Sequence, residues 1–86
     1  MNKVEWAKKA VKQLRKLPQG AQRKLYVAGE SLANWPRAEN ILKLADRDEW
    51  RLRHGNYRLF FRVLPTGEIT IIRITEVRKR NERTYQ

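Results

Sequence analysis

The chain has 86 residues, of which 20 are Lys or Arg and 9 are Asp or Glu, giving a formal net charge of +11. That length makes one small domain, residues 1–86, with little stability to spare, and the absence of cysteine together with a lone histidine, His54, excludes disulfides, thiolate metal sites and a histidine metal cluster. Self-repulsion on this scale calls for a partner of opposite sign: a nucleic acid first, ribosomal RNA included, and an acidic protein second.

Val4 and Trp6 alternate with Lys3 and Glu5, a short strand signal at the start of the chain. From Ala7 onward, Ala7, Ala10, Val11, Leu14 and Leu17 recur at helical spacing, with Lys8, Lys9, Lys12, Arg15 and Lys16 on the other face. Pro18 and Gly20 break the chain. A second helix is expected from about Gln19 to Asn34, burying Ala21, Leu25, Ala28 and Leu32, with Trp35 closing that face and Pro36 marking its end. So short a link implies an antiparallel helix hairpin packed on a sheet. Residues 37–47 read as a connector pinned to the core by Ile41, Leu42 and Leu44.

Strands are expected near residues 49–54, 56–64 and 68–77, the last two separated by the turn signal Pro65-Thr66-Gly67. The third is apolar on both faces, as suits a central strand. The order strand, helix, helix, three-stranded antiparallel meander defines an α+β architecture: two helices on one face of a four-stranded sheet, the other face open. Residues 78–86 form a basic tail. No apolar run is long enough to span a bilayer, and the Lys-rich start lacks the apolar stretch of a secretory signal. The expectation is a soluble cytoplasmic protein with no membrane contact and no cofactor or metal.

The run Trp50 to Val63 carries the most information. Strand side chains alternate faces, so a two-residue loop at His54-Gly55 or at Gly55-Asn56 keeps Trp50, Leu52, Tyr57, Leu59, Phe61 and Val63 together. Either loop gathers Arg51, Arg53, Arg58 and Arg62 on the opposite face. A three-residue loop would separate the apolar sets. Like charges facing one another across a sheet repel, so this arrangement serves a polyanion or an acidic partner better than it serves stability. Trp6, Trp50, Tyr57 and Phe61 fall on apolar faces and read as packing residues. Phe60 lies among the arginines, where it is placed to stack on RNA or to cover apolar atoms of a partner.

The order and spacing of these features resemble the RelE/ParE superfamily, the toxin halves of type II toxin–antitoxin pairs. The resemblance runs through the Lys-rich helix pair, Lys43-Leu44, the Trp50-to-Arg58 hairpin and the ending Arg78-Lys79-Arg80-Asn81-Glu82-Arg83-Thr84-Tyr85. It implies a RelE-like fold and, in the RelE branch, a ribosome-dependent mRNA endoribonuclease that cuts the message in the A site and inhibits translation. It also implies catalytic roles for Arg51, Arg53, Arg58, Arg80 and Tyr85, with Arg78 the alternative to Arg80 by a shift of two. Phe60, Arg62 and Arg83 would add RNA contacts. The implied partners are the ribosome and mRNA and a cognate acidic RelB-like antitoxin, through which the complex would bind its own operator.

The implied chemistry is attack of a ribose 2′-hydroxyl on the adjacent phosphate, which needs a base, an acid and cations for the phosphorane charge. Arginine suits the last task through its planar fork. Where the RelE pattern has lysines, this chain has Arg51 and Arg53, and a guanidinium is a poor proton carrier near neutrality. The candidates for proton transfer are therefore His54, Lys79, Glu76 and Tyr85. The alternatives are a ParE-like inhibitor of DNA gyrase and a non-catalytic nucleic-acid-binding module.

Overall fold

Residues 2–79 are described by the structure, a computed structural model. Strand β1 (Asn2–Trp6) leads through Ala7 into helix α1 (Lys8–Arg15). Three residues later comes α2 (Gln19–Glu30), which tightens into a 3-10 turn at Ser31–Asn34. Four more strands follow: β2 (Ile41–Lys43), β3 (Trp50–His54), β4 (Tyr57–Pro65) and β5 (Thr70–Lys79). They make one five-stranded sheet in the order β1-β5-β4-β3-β2, with β1 parallel to β5 and every other pair antiparallel. Among the described residues no helix is long and apolar enough to cross a membrane.

The link between the helices is closed by Gln22, whose side-chain amide donates to the carbonyls of Arg15 (3.1 Å) and Leu17 (2.8 Å), capping the exposed end of α1. Asn2 ties β1 to the 3-10 turn by donating to the carbonyls of Ala33 and Trp35. Beyond Trp6 the outer edge of β5 has lost its partner strand. Gln13 of α1 serves there instead, accepting a hydrogen bond from the Val77 N–H at 2.6 Å.

The core forms between the helices and one sheet face. Leu25 and Leu32 meet Leu59, Phe61, Ile72 and Ile74, all six fully buried. Each such side chain contributes about 1.5–3 kcal/mol relative to exposure. Trp35 completes the core as expected, its ring edge-on to Trp50 at 4.7 Å and to Phe61 at 5.7 Å.

Gly29 of α2 packs tightly against β1 and β5. A Cβ there would lie 2.5 Å from Trp6 Cζ2 and 2.9 Å from Ile74 Cδ1, closer than carbon atoms approach. Gly29→Ala is therefore expected to lower stability by about 1–3 kcal/mol through overpacking, read as a lower urea midpoint with unchanged slope. A midpoint at or above that of the wild type would disprove this close fit.

Several sequence expectations change: the last strand runs on to Lys79, so Arg78 and Lys79 pair with β4 and do not belong to the tail. The sheet has five strands, because Ile41–Lys43 of the expected connector pairs with Trp50–Leu52. Leu42 consequently points away from the helices and is 52% exposed, whereas Ile41 on the opposite face packs against the core. Helical or loop spacing would have buried both; strand alternation lets only one in.

Candidate functional site: an arginine-lined sheet face

The hairpin closes through Gly55-Asn56. Gly55 has φ +58°, a left-handed geometry that glycine adopts without steric cost, at the first of two central turn positions. This loop sets the register Trp50↔Phe61, Arg51↔Phe60, Leu52↔Leu59, Arg53↔Arg58 and His54↔Tyr57. Leu52, Leu59 and Phe61 go to the core, and Arg51, Arg53, Arg58, Phe60 and Arg62 take the face without helices.

An irregularity in β5 completes that face. Phe60 pairs with Glu76 and Phe61 with Ile74, so Thr75 is an extra residue without a partner on β4. Such a bulge inverts the alternation. Ile72 and Ile74 point to the core before it and Val77 after it, which is how a strand that reads as apolar on both faces has one apolar face. The bulge also brings Glu76 and Arg78 to the open face. Thr75 is held by Glu49 Oε2 (3.0 Å) and the Phe60 carbonyl (3.2 Å).

Two rows now cross three strands: Arg53, Arg58 and Arg78 in one, Arg51, Phe60 and Glu76 in the next. Neighbouring strands lie about 4.8 Å apart, so the first row sets three like charges side by side. Arg78 is paired with Glu76, Arg73 with Glu5 and Arg62 with Asp48. Arg51, Arg53 and Arg58 have no carboxylate partner among the described residues, and the Nε atoms of Arg51 and Arg58 are buried there without a hydrogen bond. Among the described residues these three arginines form a cationic cluster without a carboxylate, beside arginines that have one.

Phe60 is on the arginine face as expected, but it is only 7% exposed. The guanidiniums of Arg47 and Arg78 lie over its ring, 5.8 and 5.9 Å from the centroid, so the ring supports cations instead of presenting a bare stacking surface. Burial raises the Glu76 carboxyl, but hydrogen bonds and charge from Lys9 (3.0 Å) and Arg78 (2.9 Å) outweigh it and hold the group below its ordinary 4.5. A depressed carboxyl stabilises the fold above its unfolded-state value, and that contribution disappears as pH falls through the folded value. Glu76→Gln should thus be less stable than wild type at neutral pH, with the two melting temperatures converging in acid. A gap that persists below about pH 3 would show that the pairs do not carry the effect.

The remaining residues divide by face. His54, opposite Tyr57, points to the helix side and borders grooves with Ala21 and Lys24 of α2. Lys79, also opposite Tyr57, shares that side, so alternation separates both from the arginines. Arg80, Arg83 and Tyr85 lie outside the described residues. Lys9, Arg47 and Glu49 join the face although no sequence motif marks them; they arrive through the turn from β1 into α1 and through the segment before β3. Among the described residues no group of acidic or histidine side chains converges to hold a metal.

The fold and face together define a small α+β protein with a basic, helix-free sheet surface. The family model described as ParE toxin of type II toxin–antitoxin system, parDE, matches residues 4–83, and the chain belongs to that family. Its fold is that of the RelE toxins. It is similar to a chain of the toxin–antitoxin complex RelBE2 from Mycobacterium tuberculosis (25% identity, TM-score 0.76, 91% of this chain and 96% of that one). It is also similar to one of the intact E. coli RelBE complex (27%, 0.69, 94% and 98%). The isolated E. coli RelE toxin matches in fold (23%, 0.75, 96% and 89%). No curated protein sequence matches the chain. The protein is a type II toxin of the RelE/ParE superfamily.

Proposed function

We propose that this toxin is a ribosome-dependent endoribonuclease that cuts mRNA in the A site, with the scissile phosphate on the row Arg53, Arg58 and Arg78. The observation that carries this is the like-charge row itself, in which Arg53 and Arg58 have no carboxylate partner among the described residues. Paired guanidiniums bind phosphate oxygens through parallel N–H donors and take up the charge that develops when the 2′-oxygen attacks. Arg51 extends the row's field along the backbone. Arg80 and Tyr85 complete the set, the tyrosine as a platform for an unpaired base. Among the described residues no histidine lies on the arginine face, so the enzyme depends on the ribosome to bend and place the message.

A cognate antitoxin with an acidic segment holds the toxin inactive by covering this face. The net charge of +11 and the likeness to chains of RelBE complexes support it. The complex binds its operator through the antitoxin.

A second function, inhibition of DNA gyrase, is favoured by the ParE family match and by the placement of His54 on the opposite face. Induction of the chain alone in a bacterial host, with 5′-end mapping of a translated mRNA and of the same mRNA without its start codon, separates the two. Cuts confined to the translated message support the nuclease. Arrest with intact message and DNA damage supports gyrase. No arrest leaves a nucleic-acid-binding module.

A further inference from the structure

An arginine-lined site can hold a phosphate, but it cannot take the proton of a ribose hydroxyl. Guanidinium stays protonated at every physiological pH. The acceptor must lie on the same face, which removes His54 and Lys79. Four carboxylates remain there or at its margin among the described residues. Glu49 has both oxygens engaged, Oε1 by Arg47 and Oε2 by Thr75. Asp48 sits at the edge with Arg62, and Glu5 is bound to Arg73, in the row beyond Phe60 and away from the unpaired arginines.

Glu76 differs in place and in bonding. It pairs across the sheet with Phe60, beside the Arg58↔Arg78 pair. Its Oε1 accepts from both Lys9 Nζ and Arg78 Nη2. Its Oε2 has no hydrogen-bond partner among the described residues, and the side chain as a whole is 15% exposed. One oxygen thus fixes the carboxylate on the arginine face and leaves the other free of partners among the described residues. Arg78 bridges two tasks, its Nη2 on Glu76 and its remaining donors available to a phosphate, which places acceptor and phosphate one guanidinium apart.

We propose that Glu76 is the general base of this toxin, accepting the 2′-hydroxyl proton on Oε2 while Arg58 and Arg78 hold the phosphate. This rests on the nuclease function proposed above. The O2′–P bond forms as the P–O5′ bond breaks; the 2′ proton passes to Glu76, the departing O5′ takes a proton from solvent, and Glu76 returns its own to solvent. The products are a 2′,3′-cyclic phosphate and a 5′-hydroxyl. The charged groups around Glu76 are Lys9 from α1, Arg78 on its own strand, Arg58 and Arg51 across the sheet, and Arg47 over Phe60, with Glu49 on the neighbouring Thr75. All but Glu49 are cationic, which keeps the carboxylate ionised and ready.

The test is single-turnover cleavage on programmed ribosomes with wild-type, Glu76→Gln and Glu76→Asp toxins, with ribosome binding and circular dichroism as controls for folding. A base of low pKa gives wild type a rate nearly flat between about pH 6 and pH 8. Glu76→Gln should lose about 10²–10⁴-fold, and its residual rate should climb about tenfold per pH unit as hydroxide replaces the side chain. Glu76→Asp keeps a carboxylate and should keep the flat profile at reduced rate, so it informs even if the glutamine variant folds poorly. A glutamine variant within about tenfold of wild type, or one that loses rate without gaining the pH slope, overturns the assignment. Wild-type toxin that cuts nothing on ribosomes would overturn the nuclease function itself, and this inference with it.

Discussion

With the proposed nuclease function, Arg58→Ala should lower cleavage by about two to three orders of magnitude and leave the fold at least as stable as before. Arg58 is the middle of the Arg53, Arg58, Arg78 row and has no carboxylate partner among the described residues. Removing one donor to a developing oxyanion costs about 10²–10³ in rate. Removing the central one of three adjacent cations relieves repulsion, since like charges directly opposed in a sheet are destabilising. The opposite signs of the two effects make the prediction specific: cleavage on ribosomes falls by about two to three orders of magnitude, while the melting temperature is unchanged or higher. Arg58→Lys keeps the charge but loses the planar fork, so it should fall between wild type and alanine. Near-wild-type cleavage by Arg58→Ala would mean that this row is not where the phosphate sits.

Phe61→Ala should act in the reverse sense, through the fold. Phe61 is fully buried, with Trp35 edge-on at 5.7 Å and Trp50 stacked at 6.5 Å. Truncating a buried phenylalanine costs about 3–5 kcal/mol. A domain of this size has total stability of about 4–13 kcal/mol at the usual stability per residue, so most or all of it would be consumed. Urea denaturation followed by tryptophan fluorescence should show a much lower midpoint or no folded baseline. Phe60→Ala, one residue away on the other face, should cost far less, because Phe60 packs beneath guanidiniums and outside the helix-facing core. Equal losses at the two positions would contradict the assigned alternation.

The hairpin was legible in the sequence because its signal is local. The period of two from Trp50 to Val63 and the Gly-Asn turn fix which residues share a face, whatever else the chain does. Helical periodicity likewise locates α1 and α2 and puts Leu25 on the buried side, while strand alternation does the same for Leu59 and Phe61. The strand at Ile41–Lys43 was not legible: three residues are too few to display a period, and they become a strand only because the exposed edge of β3 supplies partners.

Chain length, charge and alternation by themselves determined a small, basic α+β domain with an arginine face, because these depend on composition and on neighbours a few residues apart. The tertiary structure decided what surrounds those arginines. The bulge at Thr75 carries Glu76 and Arg78 onto their face, and the β1-to-α1 turn brings Lys9 to Glu76 from 67 positions away. The Gly55-Asn56 register sends His54 to the other side. Contacts between residues so distant in sequence leave no periodic trace in it; they exist only once the sheet has paired and the helix has packed against it.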